Sequence, residues 1–212
     1  MESNLILGDC LEKMKDIPDN SVDLCLTDLP YSVVNRPSNG IRNFDKGVAD
    51  VISFNLGSAI KEAVRVCSGS FYFFCSTEQV SEIRSILASE MSTRLCVWKK
   101  KNPSPVNGQH IWLSGVECIV YGKKRGAAFN RHCENPVFEF SSGRNKHHPT
   151  QKPIHLIQYL IESSSVENDT VLDFTMGSGS TGVAAKILNR NFIGIEKDKK
   201  YFEIAKRRIE EA

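Results

Sequence analysis

Ten residues near the carboxyl end, Asp173-Phe174-Thr175-Met176-Gly177-Ser178-Gly179-Ser180-Thr181-Gly182, restrict the fold of this chain more than any other stretch. An apolar strand over 170–174 leads into them, and a helical pattern carries on to about residue 189. Glycines at 177, 179 and 182 thus spell G-x-G-x-x-G across a strand-to-helix junction. Such a junction belongs to α/β sheets, where a glycine-rich turn lets the backbone come close to a ligand at the carboxyl edge of parallel strands.

The remaining chain repeats the alternation. Apolar runs predict strands over 4–7, 22–26, 70–75, 94–98, 116–121 and 191–195. Helical periodicity covers 11–17, 56–66, 77–89, 153–163 and 200–211. The seven strands and their helices imply an α/β fold with a mostly parallel sheet. The 212 residues fit one domain with a full core. Phe71, Tyr72, Phe73 and Phe74 read as core within a strand. Residues 32–50, polar and without a period, read as a loop able to close over a substrate.

Two strand ends carry candidate chemistry. The strand over 170–174 reaches Asp173, and the one over 191–195 ends at Glu196, a carboxylate placed to accept two ribose hydroxyls. The glycine pattern alone admits a nicotinamide dinucleotide as readily as S-adenosylmethionine. An acidic residue four positions before the first glycine suits a methionyl ammonium and not a pyrophosphate, which disfavours a nicotinamide-dependent oxidoreductase. The strand over 22–26 runs into Asp28-Leu29-Pro30-Tyr31. An exocyclic amino group is a poor nucleophile because its lone pair is delocalised into the ring. Two acceptors on its N–H bonds, the Asp28 carboxylate and the Leu29 carbonyl, would draw the nitrogen towards tetrahedral geometry, and Tyr31 would stack on the base. By itself, D-x-P-Y reads first as a strand ending in a proline turn with a solvated Asp.

Charge is uneven. Between Arg94 and Lys152 eleven Lys/Arg face three Glu, an excess of eight positive charges that leaves the rest of the chain at −6. Lys99, Lys100, Lys101, Lys123, Lys124, Arg125, Arg144 and Lys146 are the candidates for a nucleic-acid face, interleaved as they are with amide and aromatic side chains. Seven cysteines with no C-x-x-C pair fit reduced thiols in the cytoplasm. The His147-His148 pair lacks companion ligands, so no metal is expected, and no run approaches membrane-spanning length.

Asp28-Leu29-Pro30-Tyr31, then His148-Pro149-Thr150-Gln151-Lys152-Pro153, then Asp173 to Thr181 resemble, in that order, the amino-group DNA methyltransferases of the beta, or permuted, class. The resemblance spans almost the whole chain. It implies a Rossmann-like S-adenosylmethionine-dependent methyltransferase fold, circularly permuted, so that strand 4–7 would follow helix 200–211 in the unpermuted order. It implies that Asp28, Leu29, Pro30 and Tyr31 form the catalytic motif. Asp173, Phe174, Gly177, Gly179 and Thr181 would line the cofactor's methionine side, Glu196 its ribose, and Asp9 with Cys10 its adenine. Thr150, Lys152 and Pro153 would close the pocket. Double-stranded DNA would be the partner, read by a small basic target-recognition insertion over 102–147 of the single domain; so small a region implies that a homodimer or another partner shares the reading. Asp28, where serine is commoner in the cytosine-N4 enzymes, tips the expected target to adenine N6. One departure stands out: the usual second motif residue is proline and here it is Leu29, which leaves the turn less pre-organised and is the one support for an inactive DNA-binding protein of this fold.

Overall fold

A computed structural model describes residues 2–30, 54–105, 108–143 and 151–212. Tyr31, the loop expected over 32–50, Arg144, Lys146, His147, His148 and Thr150 lie outside the described residues. Eight strands, β1 (Ser3–Leu7), β2 (Val22–Asp28), β3 (Cys67–Cys75), β4 (Ser92–Lys100), β5 (Val116–Lys123), β6 (Val137–Phe140), β7 (Thr170–Asp173) and β8 (Asn191–Glu196), form one sheet in the order β1-β8-β7-β2-β3-β5-β4-β6. All neighbours pair in parallel except β3 with β5 and β5 with β4.

Helices α1 (Cys10–Lys13), α2 (Leu56–Val66) and α3 (Val80–Ala88) cover one face, where Val22, Cys25, Phe71 and Phe73 pack. Helices α4 (Ile154–Ser164), α5 (Ser180–Ile187) and α6 (Lys199–Glu210) cover the other over Leu24, Leu26, Tyr72 and Phe74. Successive side chains of β2 and β3 therefore enter opposite cores, which is why these strands read as continuous apolar runs. The aromatics of β3 are core, with Phe71, Phe73 and Phe74 wholly buried.

The sheet has one strand more than expected. Phe138 and Phe140 of β6 pack on Tyr159 of α4 at 5.5 and 5.7 Å between ring centroids, while β6 pairs with β4 at the sheet edge. Four residues with two outward positions carry too little apolar pattern to stand out in the sequence. Both β5 and β6 fall within 102–147, so much of the expected insertion is sheet and only its loops stand outside. Helix α3 starts at Val80, three residues later than the periodicity predicts. Gln79 folds back to accept the Ser76 N–H at 2.9 Å, so the preceding residues form a turn.

The expected permutation is visible in the pairing. Strand β1 lies parallel to β8, with Ser3 opposite Phe192 and Leu7 opposite Glu196, while α6 packs against both. Strand β8, helix α6 and strand β1 thus make a βαβ unit interrupted by the chain's two ends.

Candidate active site

The strand order reverses between β7 and β2. From β7 the sheet continues outward through β8 to β1, and from β2 it continues the opposite way through β3. A crevice opens where parallel strands diverge in this manner, outside their carboxyl ends. Asp28 closes β2 on one side of it and Asp173 closes β7 on the other.

Short hydrogen bonds join the two ends. Thr27 Oγ1 donates to Asp173 Oδ1 at 2.7 Å and lies 2.6 Å from Thr175 Oγ1, and Thr175 Oγ1 donates to the Asp28 carbonyl at 2.9 Å. The turn after Asp28 is pinned twice more. The Leu29 N–H donates to Phe74 O at 3.0 Å, and Gln79 Nε2 donates to Pro30 O at 3.0 Å. The departure at Leu29 thereby finds its account. Proline has no N–H to give, whereas leucine extends the β2–β3 ladder by one bond and buries its side chain in the core. Bonding to β3 supplies the order that a second proline would otherwise impose, and the support for an inactive protein falls away.

Asp28 is also held by its side chain. Lys152 Nζ, almost wholly buried, lies 2.6 Å from Asp28 Oδ2 and 3.2 Å from Glu117 Oε2, with the Phe74 ring 5.4 Å beneath it. Lys100 Nζ meets Glu117 Oε1 at 2.8 Å. Burial pushes the Glu117 carboxyl up, but Lys152 and Lys100 outweigh it and hold it below its ordinary value. An alternating row Lys100, Glu117, Lys152, Asp28 therefore runs from β4 to the end of β2.

A cavity of about 430 Å³ occupies the crevice. Among the predicted site residues, Asp28, Leu29, Pro30, Asp9, Cys10, Lys152, Asp173, Phe174, Gly177, Thr181 and Glu196 line it. Thr175, Phe54, Lys197, Asp198 and Tyr201 also line it, though neither motif nor spacing singled them out as site residues. Gly179 and Pro153 stand behind the wall. Pro153 caps α4, and Gly179, at φ 80°, turns the chain into α5, where a Cβ would stand 2.8 Å from that of Ala205. Gly182 likewise serves packing, since a Cβ there would meet Ile209 Cδ1 at 2.4 Å. Only Gly177, at φ 50° with open space beyond it, leaves room for a close approach to its backbone.

The donor set fits S-adenosylmethionine. Asp173 is buried, and burial lifts its carboxyl to about 6 against bonds from Thr181, Thr27 and the Thr175 N–H. Among the described residues no cation lies within ion-pair distance of it, so a ligand ammonium would supply the missing charge. Glu196 accepts from Gly177 N–H at 2.9 Å and Asp198 N–H at 2.7 Å, which orients its carboxylate while leaving lone pairs for a diol. Burial raises its pKa as well. Asp9 accepts from the Leu11 N–H, capping α1 beside the cavity.

The basic residues do not form one face, which corrects the expectation of a continuous patch. Lys99, Lys100 and Lys101 end β4 at the catalytic edge, with Lys99 paired to Glu139. Lys123 ends β5, which runs antiparallel to β3, so Lys123, Lys124 and Arg125 emerge at the opposite edge of the sheet. Eight residues of strand, about 24 Å, separate the two groups. Lys124 moreover donates to Val64 O at 2.8 Å.

All seven cysteines are unpaired, and burial pushes the thiols of Cys10, Cys67, Cys75 and Cys96 up to about 12. None of these four has the thiolate a nucleophile requires. Among the described residues no cluster of three His, Cys, Asp or Glu is placed to hold a metal, and no helix is long and apolar enough to cross a membrane.

Comparison with known proteins accords with this crevice. A family model described as DNA methylase matches residues 97–207. The chain is 32% identical to the Type II methyltransferase M.HinfI of Haemophilus influenzae, across 99% of this chain and 68% of that protein. It is 30% identical to M2.LlaDCHI of Lactococcus lactis subsp. cremoris, across 97% and 88%. Among solved structures, the complex of M1.HpyAVI with SAM matches with a TM-score of 0.76 and 30% identity over 98% of both chains. The cytosine-N4-specific PvuII DNA methyltransferase shares the fold, with a TM-score of 0.75 at 16% identity over 98% of this chain and 86% of that one. With the two acidic strand ends meeting at the switch point and relatives of this similarity, the chain belongs to the amino-group DNA methylase family, enzymes that methylate DNA from S-adenosylmethionine.

Proposed function

We propose that this chain methylates the N6 amino group of an adenine flipped out of double-stranded DNA, with Asp28 and the Leu29 carbonyl as the acceptors that activate the nitrogen. The observation that carries the reading is the doubly held Asp28: its carbonyl is fixed by Thr175 and its Oδ2 by Lys152, which sets its carboxylate beside the Leu29 carbonyl on the cavity that Asp173 and Glu196 also line. Bound in the cavity, S-adenosylmethionine supplies a sulfonium methyl to the amino nitrogen by a single displacement. Asp173 would hold its ammonium and Glu196 its ribose hydroxyls, and Asp9 with Cys10 would border its adenine. Lys152 orients the Asp28 carboxylate, which accepts a hydrogen bond from one amino N–H while Leu29 O accepts one from the other. Methyl transfer leaves the neutral thioether, and of the two amino protons only one is lost, on the Asp28 side, so that the product keeps one N–H. As charge leaves the nitrogen, the carboxylate beside it lowers the barrier. Tyr31, next in sequence to Pro30, is the residue we assign to stacking on the flipped base. The aspartate in the motif's first position is what favours adenine over cytosine. The reducing state of seven unpaired cysteines suits the cytoplasm. The short loops outside the sheet suit a homodimer that shares site reading.

The test is methyl-labelled S-adenosylmethionine with mixed-sequence duplex DNA, followed by nucleoside analysis. Labelled N6-methyladenine is the expected product. N4-methylcytosine would keep the mechanism and overturn the base.

A further inference from the structure

Between β4 and β5, at the catalytic edge of the sheet, one loop turns its largest apolar side chains outward. Trp112 is 94% exposed and Ile111 69%, beside the half-exposed Leu113. Stranded surface of this kind marks a contact site when it recurs on adjacent residues. The loop is also built to keep its shape. Asn102 Nδ2 donates to Ser142 O at 3.2 Å and Asn102 Oδ1 accepts from the Ser142 N–H at 2.6 Å, clamping its start to the end of β6. Leu113 folds back onto Gly108, where a Cβ would stand 2.6 Å from its Cδ2, and Gly115 N–H donates to Leu113 O at 2.7 Å.

The loop's position relative to Asp28 limits what can cover it. Val116, its last neighbour, precedes Glu117, which shares Lys152 with Asp28. Two strand spacings and three residues of β5 put the loop's end about 14 Å from Asp28 along the sheet. That distance is of the order of the roughly 12 Å width of a major groove, so one duplex can reach both. Lys101 stands exposed at the start of the loop, supplying charge for phosphates beside the apolar tip.

We propose that Trp112, backed by Ile111, is a wedge that enters the duplex and fills the stack left by the flipped base. This rests on the base-flipping reading above. Aromatic and aliphatic wedges of this kind offset the unstacking of a duplex, and a wedge on the same edge of the sheet as the pocket keeps the vacated stack from closing on the returning base.

The sites methylated in plasmid DNA are mapped first. One such site is then built into two oligonucleotides, with the target base either paired or opposite an abasic residue. Trp112→Ala should lose at least tenfold in single-turnover methyl transfer on the paired duplex and recover to within about threefold of wild type on the abasic one, because the opening is already done. Trp112→Phe should retain most activity, and cofactor affinity and gel-filtration mass should not change. Equal losses on both duplexes, or no loss, would overturn the wedge; a change of mass would assign the patch to a second copy of the chain instead. Wild-type protein that methylates no DNA would overturn the function and leave a separate reading of the wedge. With Trp98 buried, acrylamide quenching reports Trp112, and the wedge requires duplex DNA to shield it.

Discussion

The Thr175 hydroxyl donates to the carbonyl of Asp28 at 2.9 Å, tying the end of β7, which carries Asp173, to the end of β2, which carries Asp28. Through Thr27 the same pair reaches the Asp173 carboxyl, so the two halves of the crevice share one hydrogen-bonded seam.

Thr175→Val should therefore slow methyl transfer by about tenfold, the equivalent of one hydrogen bond of about 1.4 kcal/mol. Affinity for S-adenosylmethionine should change by less than about threefold. Asp28→Ala should abolish transfer with the same small effect on binding. Calorimetric titration beside a rate assay separates the two, and parallel loss of binding in Asp28→Ala would remove Asp28 from the substrate side.

In the role proposed for Asp173, cofactor affinity should depend on pH. Its carboxyl titrates at about 6 in the free protein and must be ionised to face an ammonium, so affinity should fall about tenfold for each unit below pH 6. Stability of the free protein should move the other way. A folded pKa above the unfolded value means that the native state holds the proton better, so this contribution is present at low pH and is lost as pH rises through about 6. Asp173→Asn should flatten both trends, seen in titrations and melting curves from pH 4 to 8.

Breaking the ion pairs of Lys152 leaves Asp28 and Glu117 facing one another without their shared cation. Lys152→Met should cost about 2–4 kcal/mol in urea unfolding near pH 7. Adding Glu117→Gln should recover part of that loss. A double variant no more stable than the single one would show that the two carboxylates do not repel.

Salt dependence distinguishes the two basic groups. Removing Lys99 and Lys101 should lower the slope of log affinity for duplex DNA against log salt by about 2, one for each phosphate contact. Removing Lys123 and Arg125, at the opposite edge, should leave the slope unchanged. An equal reduction from both pairs would mean that DNA wraps around the sheet.

Gly182→Ala should destabilise the protein by about 1–3 kcal/mol, because its methyl meets Ile209 and Phe192. Ile209→Val in the same chain should relieve part of that cost, and denaturant midpoints measure both.

Strand and helix periodicity, the glycine turn and the acidic strand ends are short-range properties, and the sequence alone determined them: each depends on residues within one element and its flanking turn. Gly177 and Glu196 were legible as cavity residues for that reason. The tertiary structure alone decided who meets whom. Thr27 reaches Asp173 across 146 residues because β2 lies beside β7, and Lys152 reaches Asp28 across 124 because α4 packs over β2 and β3. Glu117, one of three acids in a basic region, carried no signal of its place on Lys152. The antiparallel direction of β5 sent Lys123, Lys124 and Arg125 to the far edge, and strand direction is a property of the sheet that a run of charges does not encode. Periodicity sets which face a side chain occupies, and strand order sets what it faces.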